Sequence, residues 1–176
     1  MDERPMEAMR EAIKVIKAAD PEFKITLAGN YHEEIQGDLY YLSIPYGNQF
    51  PEEVKAERKR KGQISTVYTC CTEAFPNTFT FSEPAEAAWT VLHAVAGGYD
   101  GYLRWAVNSW PMDPLRDSRF RTWAAGDTYS IYPGPRSSIR FERLVEGLQA
   151  CEKIHILREE LAVKGANGKL KKLNAK

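Results

Sequence analysis

Gly101-Tyr102-Leu103-Arg104-Trp105-Ala106-Val107-Asn108-Ser109-Trp110 reads as a buried strand whose carboxyl end runs into indoles and an amide, with a long polar loop behind it. A helical pattern from Glu83 to Ala96 stops at Gly97-Gly98 just before it. Helix followed directly by strand is the repeating step of an α/β chain. Indole faces can cover the apolar C–H face of a pyranose ring, and a neighbouring amide can both donate to and accept from its hydroxyls. Aromatics beside a strand end also serve as core or rim packing, so both readings stand at this point.

Working outward, the same alternation continues. Pro5 suits a first helical turn, and Met9, Ala12, Ile13, Ile16 and Ala19 recur at helical spacing until Asp20-Pro21 ends the run. Lys24 to Gly29 is a short buried strand. The segment Asn30 to Asp38 holds at most two helical turns before Leu39-Tyr40-Tyr41-Leu42-Ser43-Ile44, a second strand ending at Pro45. Pro51 opens a charged helix that ends at Gly62, and Ile64 to Cys70 is a third strand rich in β-branched residues. Gly101 to Val107 is the fourth. After the loop from Ser109 to Arg136, Ser137 or Ser138 caps a long helix running to about Val163, with Phe141, Leu144, Val145, Leu148 and Cys151 as its apolar face. Residues 165–176 read as a flexible basic tail after one domain over residues 1–164.

The 24 basic and 24 acidic residues cancel, which argues against a nucleic-acid partner. The Lys55 to Lys61 and Lys169 to Lys176 patches read as a solvated helix face and a loose tail. No apolar run approaches the roughly 20 residues that cross a bilayer, so no membrane span is expected. Three cysteines, two of them adjacent at Cys70-Cys71, read as reduced, buried thiols. His32, His93 and His155 fall in unrelated segments, so neither a metal site nor another cofactor is expected.

Near-continuous apolar strands alternating with helices imply a parallel sheet covered on its faces. Such sheets carry ligands at the carboxyl ends of their strands. Those ends place Asn30-Tyr31-His32, Tyr46-Gly47-Asn48-Gln49, Tyr68 with Cys70-Cys71, and Asn108-Ser109-Trp110 on one rim. A nucleotide cradle is missing, because Gly97-Gly98 follows a helix and Gly134 stands alone in a loop. The nucleophile-elbow pattern of serine hydrolases is missing too. Carboxylate chemistry remains, and Asp2-Glu3 is the evident pair; on its own that pair is also an ordinary helix-start charge cluster.

Asp2-Glu3 before a helix, Tyr68-Thr69-Cys70-Cys71, Pro76-Asn77-Thr78-Phe79, the Gly101 to Trp110 stretch, and Tyr132-Pro133-Gly134 leading to Ser138-Ile139-Arg140-Phe141-Glu142 together resemble the catalytic domain of glycoside hydrolase family 123. The similarity runs from Asp2 to about Arg158. It implies a (β/α)8 TIM barrel and β-N-acetylgalactosaminidase-like hydrolysis of glycolipid-type glycans. In the family pattern the Glu protonates the departing oxygen and later activates water, while the Asp holds the acetamido group; these roles fall on Glu3 and Asp2. The family often reads Asp-Glu-Pro, whereas Arg4 stands before Pro5 here, which leaves the sugar open.

Adjacent carboxyls suit one division of labour better than another. In an ordinary retaining glycosidase the two carboxyls flank the bond about 5 to 5.5 Å apart, which consecutive residues reach poorly. They serve well as one acid and one orienting carboxylate if the substrate's own 2-acetamido oxygen attacks the anomeric carbon to give an oxazolinium. Burial and the Asp2 charge would both favour a protonated Glu3. Tyr68 is the candidate donor to the acetamido oxygen, Trp105 and Trp110 are candidate walls against the ring, and Asn108 is a candidate hydroxyl contact. By strict alternation Trp105 shares a side with Leu103 and Val107, and it serves equally as packing. Arg119, Arg121 and Asp127 in the long loop are expected in salt links or lid contacts.

A full barrel needs on the order of 250 residues, so this chain reads as the carboxyl-terminal half, with the strand that presents Asp2-Glu3 lying before Met1. Weak or absent turnover by the chain alone is then expected, with self-association as one way to cover an open sheet edge. A noncatalytic carbohydrate-binding domain and a structural or interaction domain are the competing readings. Relatives are often exported by bacteria, periplasmic or secreted, and a signal for that would also precede Met1; these residues do not specify the compartment.

Overall fold

Ile25 and Leu27 are buried while Thr26 and Ala28 are exposed, so the first strand, β1 (Ile25–Ala28), buries one side and exposes the other. The computed structural model describes residues 5–48, 50–120 and 122–175. Four strands, β1, β2 (Leu39–Pro45), β3 (Ile64–Thr69) and β4 (Gly101–Arg104), pair in parallel in the order β1-β2-β3-β4. The sheet is open among the described residues. The chain is therefore an α/β fold with a four-stranded parallel sheet, as the alternating pattern implied.

The chain gathers into two compact units, Met1–Glu73 with Gly98–Trp105, and Ala74–Gly97 with Ala106–Lys176. No linker in the sequence marks this division, because each unit is built from two separate stretches.

The first unit holds the sheet with helices α1 (Met6–Ala19) and α2 (Glu52–Arg60). Pro5 precedes α1 and its carbonyl accepts from Ala8 N at 3.0 Å, which opens the helix at a position where a missing N–H costs nothing. Met9 and Ile13, one turn apart, are its buried face. Asp20 turns to extended backbone and ends it, and Lys17 Nζ closes the exit by donating to the carbonyls of Pro21 and Phe23, both at 2.8 Å.

Helix α2 carries almost no apolar face; its buried residues are Lys55 and Arg58. Arg58 is 1 % exposed, and burying a guanidinium is tolerable only when its donors are met. Nε donates to Ser65 Oγ at 2.9 Å, Nη1 to the carbonyls of Gln36 at 2.6 Å and Leu39 at 3.1 Å, and Nη2 to that of Ile64 at 2.9 Å. One side chain thus ties α2 to the amino ends of β2 and β3. That bond also fixes the sheet's sides. Ser65, Val67 and Thr69 face α2 with Leu42 and Ile44, whereas Thr66, whose Oγ1 donates to Tyr41 Oη at 2.8 Å, lies on the opposite, more polar side with Ser43 and Tyr68.

The second unit holds α3 (Ala85–Ala96), α4 (Ile139–Val163) and α5 (Asn167–Asn174). Ser138 caps α4, its Oγ accepting from Phe141 N at 3.2 Å. The apolar face read from the sequence holds only in part: Cys151 is buried, but Leu148 is 50 % exposed and the close approach to α3 is made by Gly147. A stripe drawn on leucines misses a crossing that depends on having no side chain. Residues 165–176, read as a flexible tail, contain α5; Leu170 and Leu173 are half-buried at helical spacing, and Arg158 Nε donates to Asn174 Oδ1 at 2.8 Å. No helix among the described residues is long and apolar enough to cross a membrane.

Candidate functional site

In the first unit the parallel strands end side by side at Ala28, Pro45, Thr69 and Arg104. Asn30, Tyr46, Cys70 and Trp105 follow just beyond. Asn48 Nδ2 donates to Asn30 Oδ1 at 3.0 Å, and Tyr46 N donates to Tyr68 O at 2.8 Å, which extends the β2–β3 ladder one step past the strand. Burial, helped by the neighbouring Tyr102, pushes the Tyr46 phenol up to about 12, so it is neutral at physiological pH.

Tyr68 is half-buried on the polar side of the sheet, opposite Leu103 in register. Trp105, 39 % exposed, stands one residue past β4, where the chain bends out of the strand. The structure therefore brings these two sequence-predicted residues to the ends of adjacent strands. On the other side lies a polar cluster that the sequence did not reveal. Arg104 Nη1 donates to Thr69 O at 2.8 Å and to Thr69 Oγ1 at 3.0 Å, and Thr69 Oγ1 lies 2.5 Å from Tyr102 Oη. Burial raises the Tyr102 phenol, while the Arg104 charge and the Thr69 and Arg104 hydrogen bonds pull the other way. Only strand register brings Thr69 opposite Arg104, and register is not written in the spacing of either segment.

The turn after β3 is closed by Cys70 N donating to Glu73 Oε2 at 2.7 Å. Of the three cysteines, which are free thiols, only Cys151 is buried; Cys70 is half-buried and Cys71 exposed, because both lie past the strand end.

In the second unit, Asn108 and Trp110 belong to a different arrangement. The fourth strand does not run to Val107. Val107 O accepts from Ser130 N at 2.9 Å and Ile131 N at 3.3 Å, so the chain has left the parallel ladder for antiparallel contact with 128–131. Asn108, exposed, bridges Tyr129 in that contact. Trp110 is 39 % exposed, but its indole N–H is committed, donating to Ile131 O at 2.6 Å. Thr128 Oγ1 donates to Ser109 O at 2.5 Å and completes the tie.

The long loop folds on Arg140, whose Nη1 donates to the carbonyls of Thr78 at 2.5 Å, Gly126 at 2.9 Å and Tyr129 at 2.8 Å. Asp127, expected in a salt link or lid, is fully buried. Arg119 does form a salt link, with Asp117 at 2.6 Å on the surface, and this holds the Asp117 carboxyl down at about 2. Asp2, Glu3, Gln49 and Arg121 lie outside the described residues. Among the described residues no three His, Cys, Asp or Glu side chains gather in a way that could hold a metal ion.

The family model described as glycoside hydrolase 123, catalytic domain, matches residues 1–157. Among solved structures, a family 123 glycoside hydrolase from Clostridium perfringens, studied for the details of glycolipid glycan hydrolysis, superposes with a TM-score of 0.86 at 27% sequence identity. The match covers 99% of this chain and 33% of that one, so the chain spans about a third of the length of the structure it resembles. No curated protein sequence matches the chain.

Proposed function

The chain belongs to the glycoside hydrolase 123 catalytic-domain family, and from that membership we propose that it is the part of a β-N-acetylhexosaminidase that binds and cleaves a terminal N-acetylgalactosamine. The observation that carries this reading is the extent of the family match, residues 1–157, which takes in Asp2-Glu3 together with Tyr68, Trp105, Asn108 and Trp110. The substrate's acetamido oxygen attacks the anomeric carbon as Glu3 gives its proton to the leaving oxygen, and Asp2 orients the acetamido group. Water, deprotonated by Glu3, then opens the oxazolinium from the same face as the departed group, so configuration is retained. Tyr68 donates to the acetamido oxygen and Trp105 covers the apolar ring face.

The sheet supports a barrel origin for these strands. Their spatial order follows their sequence order, as in a stretch of barrel wall, whereas a doubly wound sheet reverses order at a switch point. In this reading the polar side bearing Ser43, Thr66 and Tyr68 lines the interior. The glycan of a glycolipid, the subject of work on the C. perfringens enzyme, is the corresponding proposal for the substrate.

The test is to incubate the chain with β-linked N-acetylgalactosaminides and follow both binding and sugar release. Release with retention, inhibition by a thiazoline mimic of the oxazolinium, and loss of turnover with retained binding in Glu3→Gln support the reading. Binding without release in the wild-type chain supports a noncatalytic carbohydrate-binding domain. Neither binding nor release overturns both.

A further inference from the structure

We propose that Cys70 and Cys71 form a dithiol site that chelates one trivalent arsenic centre carrying a single organic group. The site takes its ligand by sulfur chemistry alone, so the inference stands apart from the glycan reading.

Two adjacent cysteines inside a strand could not share a ligand, because successive side chains leave opposite faces. Here the strand has already ended. β3 stops at Thr69, and the chain bends at Cys71 and Thr72. Cys70 Sγ turns toward that bend, lying 3.4 Å from Thr72 Oγ1. Glu73 pins the turn, its Oε2 accepting from Cys70 N at 2.7 Å. Cys71 is exposed and Cys70 half-buried, and both are thiols, so a small reagent reaches the pair from solvent. The third thiol, Cys151, is buried in α4 and has no cysteine beside it in the sequence.

Adjacency decides what the pair can hold. The peptide between the two residues is trans, and α-carbons across such a bond lie about 3.8 Å apart, closer than the roughly 4.4 to 6.8 Å that disulfides span. A direct sulfur–sulfur bond is therefore strained and readily reduced. One atom bridging the sulfurs enlarges the ring and relieves that strain. A structural zinc site takes four nitrogen or sulfur ligands, and among the described residues no three His, Cys, Asp or Glu side chains gather to hold a metal ion. An arsenic centre that already carries one carbon needs two more bonds, and the two thiols supply both.

In the reaction an arsenoxide, R–As=O, loses its oxygen as water. The two thiol protons go to that oxygen, two As–S bonds form, and arsenic stays trivalent, so no oxidant or reductant takes part. The second bond closes within one molecule, which is what holds the group against competing monothiols.

The test treats the folded 176-residue chain with phenylarsine oxide, reads the intact mass, and challenges the adduct with excess 2-mercaptoethanol or with 2,3-dimercaptopropanol. One phenylarsenic group per chain is expected, mapping to Cys70 and Cys71, kept against the monothiol and surrendered to the dithiol. Iodoacetamide should alkylate neither of these two residues while the group is bound. Cys70→Ser and Cys71→Ser should each hold the group at least about a hundred-fold more weakly. Circular dichroism checks the folding of each variant; should Cys70→Ser unfold, Cys71→Ser, changed at an exposed position, decides alone. A group that maps to Cys151, or that the wild-type chain sheds to monothiol as readily as Cys71→Ser does, overturns the proposal. Failure of the wild-type chain to take up the group overturns it as well.

Discussion

Gly147 in α4 lies so close to Ala88 in α3 that a Cβ added to it would come within 2.8 Å of both the Cα and the carbonyl oxygen of Ala88. Real Cβ atoms do not approach backbone that closely, so the two helices could not cross as they do with any other residue there. Helix propensity alone would favour Gly147→Ala by about 1 kcal/mol, whereas forcing a methyl into a closed contact costs roughly 1 to 3 kcal/mol. The contact is to backbone, which cannot rotate aside, so the steric effect should win. Gly147→Ala is expected to lower the denaturation midpoint, and a raised midpoint would contradict the close crossing.

Arg58 is the reverse case, a large side chain that the first unit cannot spare. Its replacement by Met leaves Ser65 Oγ and the carbonyls of Gln36, Leu39 and Ile64 without the donors they now have. Part of the cost is recovered by removing a buried charge, since burial already disfavours the charged guanidinium. The acceptors left unmet dominate, and Arg58→Met should destabilise the fold by roughly 3 kcal/mol. Arg58→Lys, with one ammonium for four acceptors, should fall between. Urea unfolding of the three proteins measures the order; equal midpoints would show that water replaces the guanidinium freely.

Arg58 also marks where the sequence stops being informative. Helix α2 was legible from Pro51 and the charges that follow, and the strands were legible from their short apolar runs, because those signals are local. A reading of Lys55 to Lys61 as a solvated face could not foresee that Arg58 turns inward, since its acceptors come from residues 36, 39, 64 and 65. The fourth strand was overextended to Val107 for the same reason: its later residues leave the ladder to meet Ser130 and Ile131, distant in sequence. At the candidate site, Tyr68 and Trp105 were readable as aromatic residues at strand ends. The Thr69, Tyr102 and Arg104 cluster beside them exists only through register. Family membership was legible because it depends on many ordered residues and not on any one contact.

Tyr46 gives a pH signature. Its folded phenol sits at about 12, above the unfolded value near 10. The folded state thus holds this proton more tightly than the unfolded chain, so the stabilisation is fully present below about pH 10 and is lost as pH rises through about 12. Spectrophotometric titration should show one late phenol fewer in Tyr46→Phe, and the alkaline loss of stability should be shallower in that variant. Identical alkaline profiles would mean that the phenol is solvated.

Trp110 separates its two roles by substitution. The indole N–H bonds Ile131 O at 2.6 Å, yet the side chain remains 39 % exposed. Trp110→Phe removes the donor and keeps an aromatic face; it should lower stability by about 1 kcal/mol while leaving affinity for an N-acetylgalactosaminide nearly unchanged if stacking is what the sugar uses. Trp110→Ala removes both and should weaken binding further than its added instability accounts for. Measured on folded protein by titration, equal affinity in the wild type, Trp110→Phe and Trp110→Ala would assign the indole wholly to holding the loop against residues 128–131.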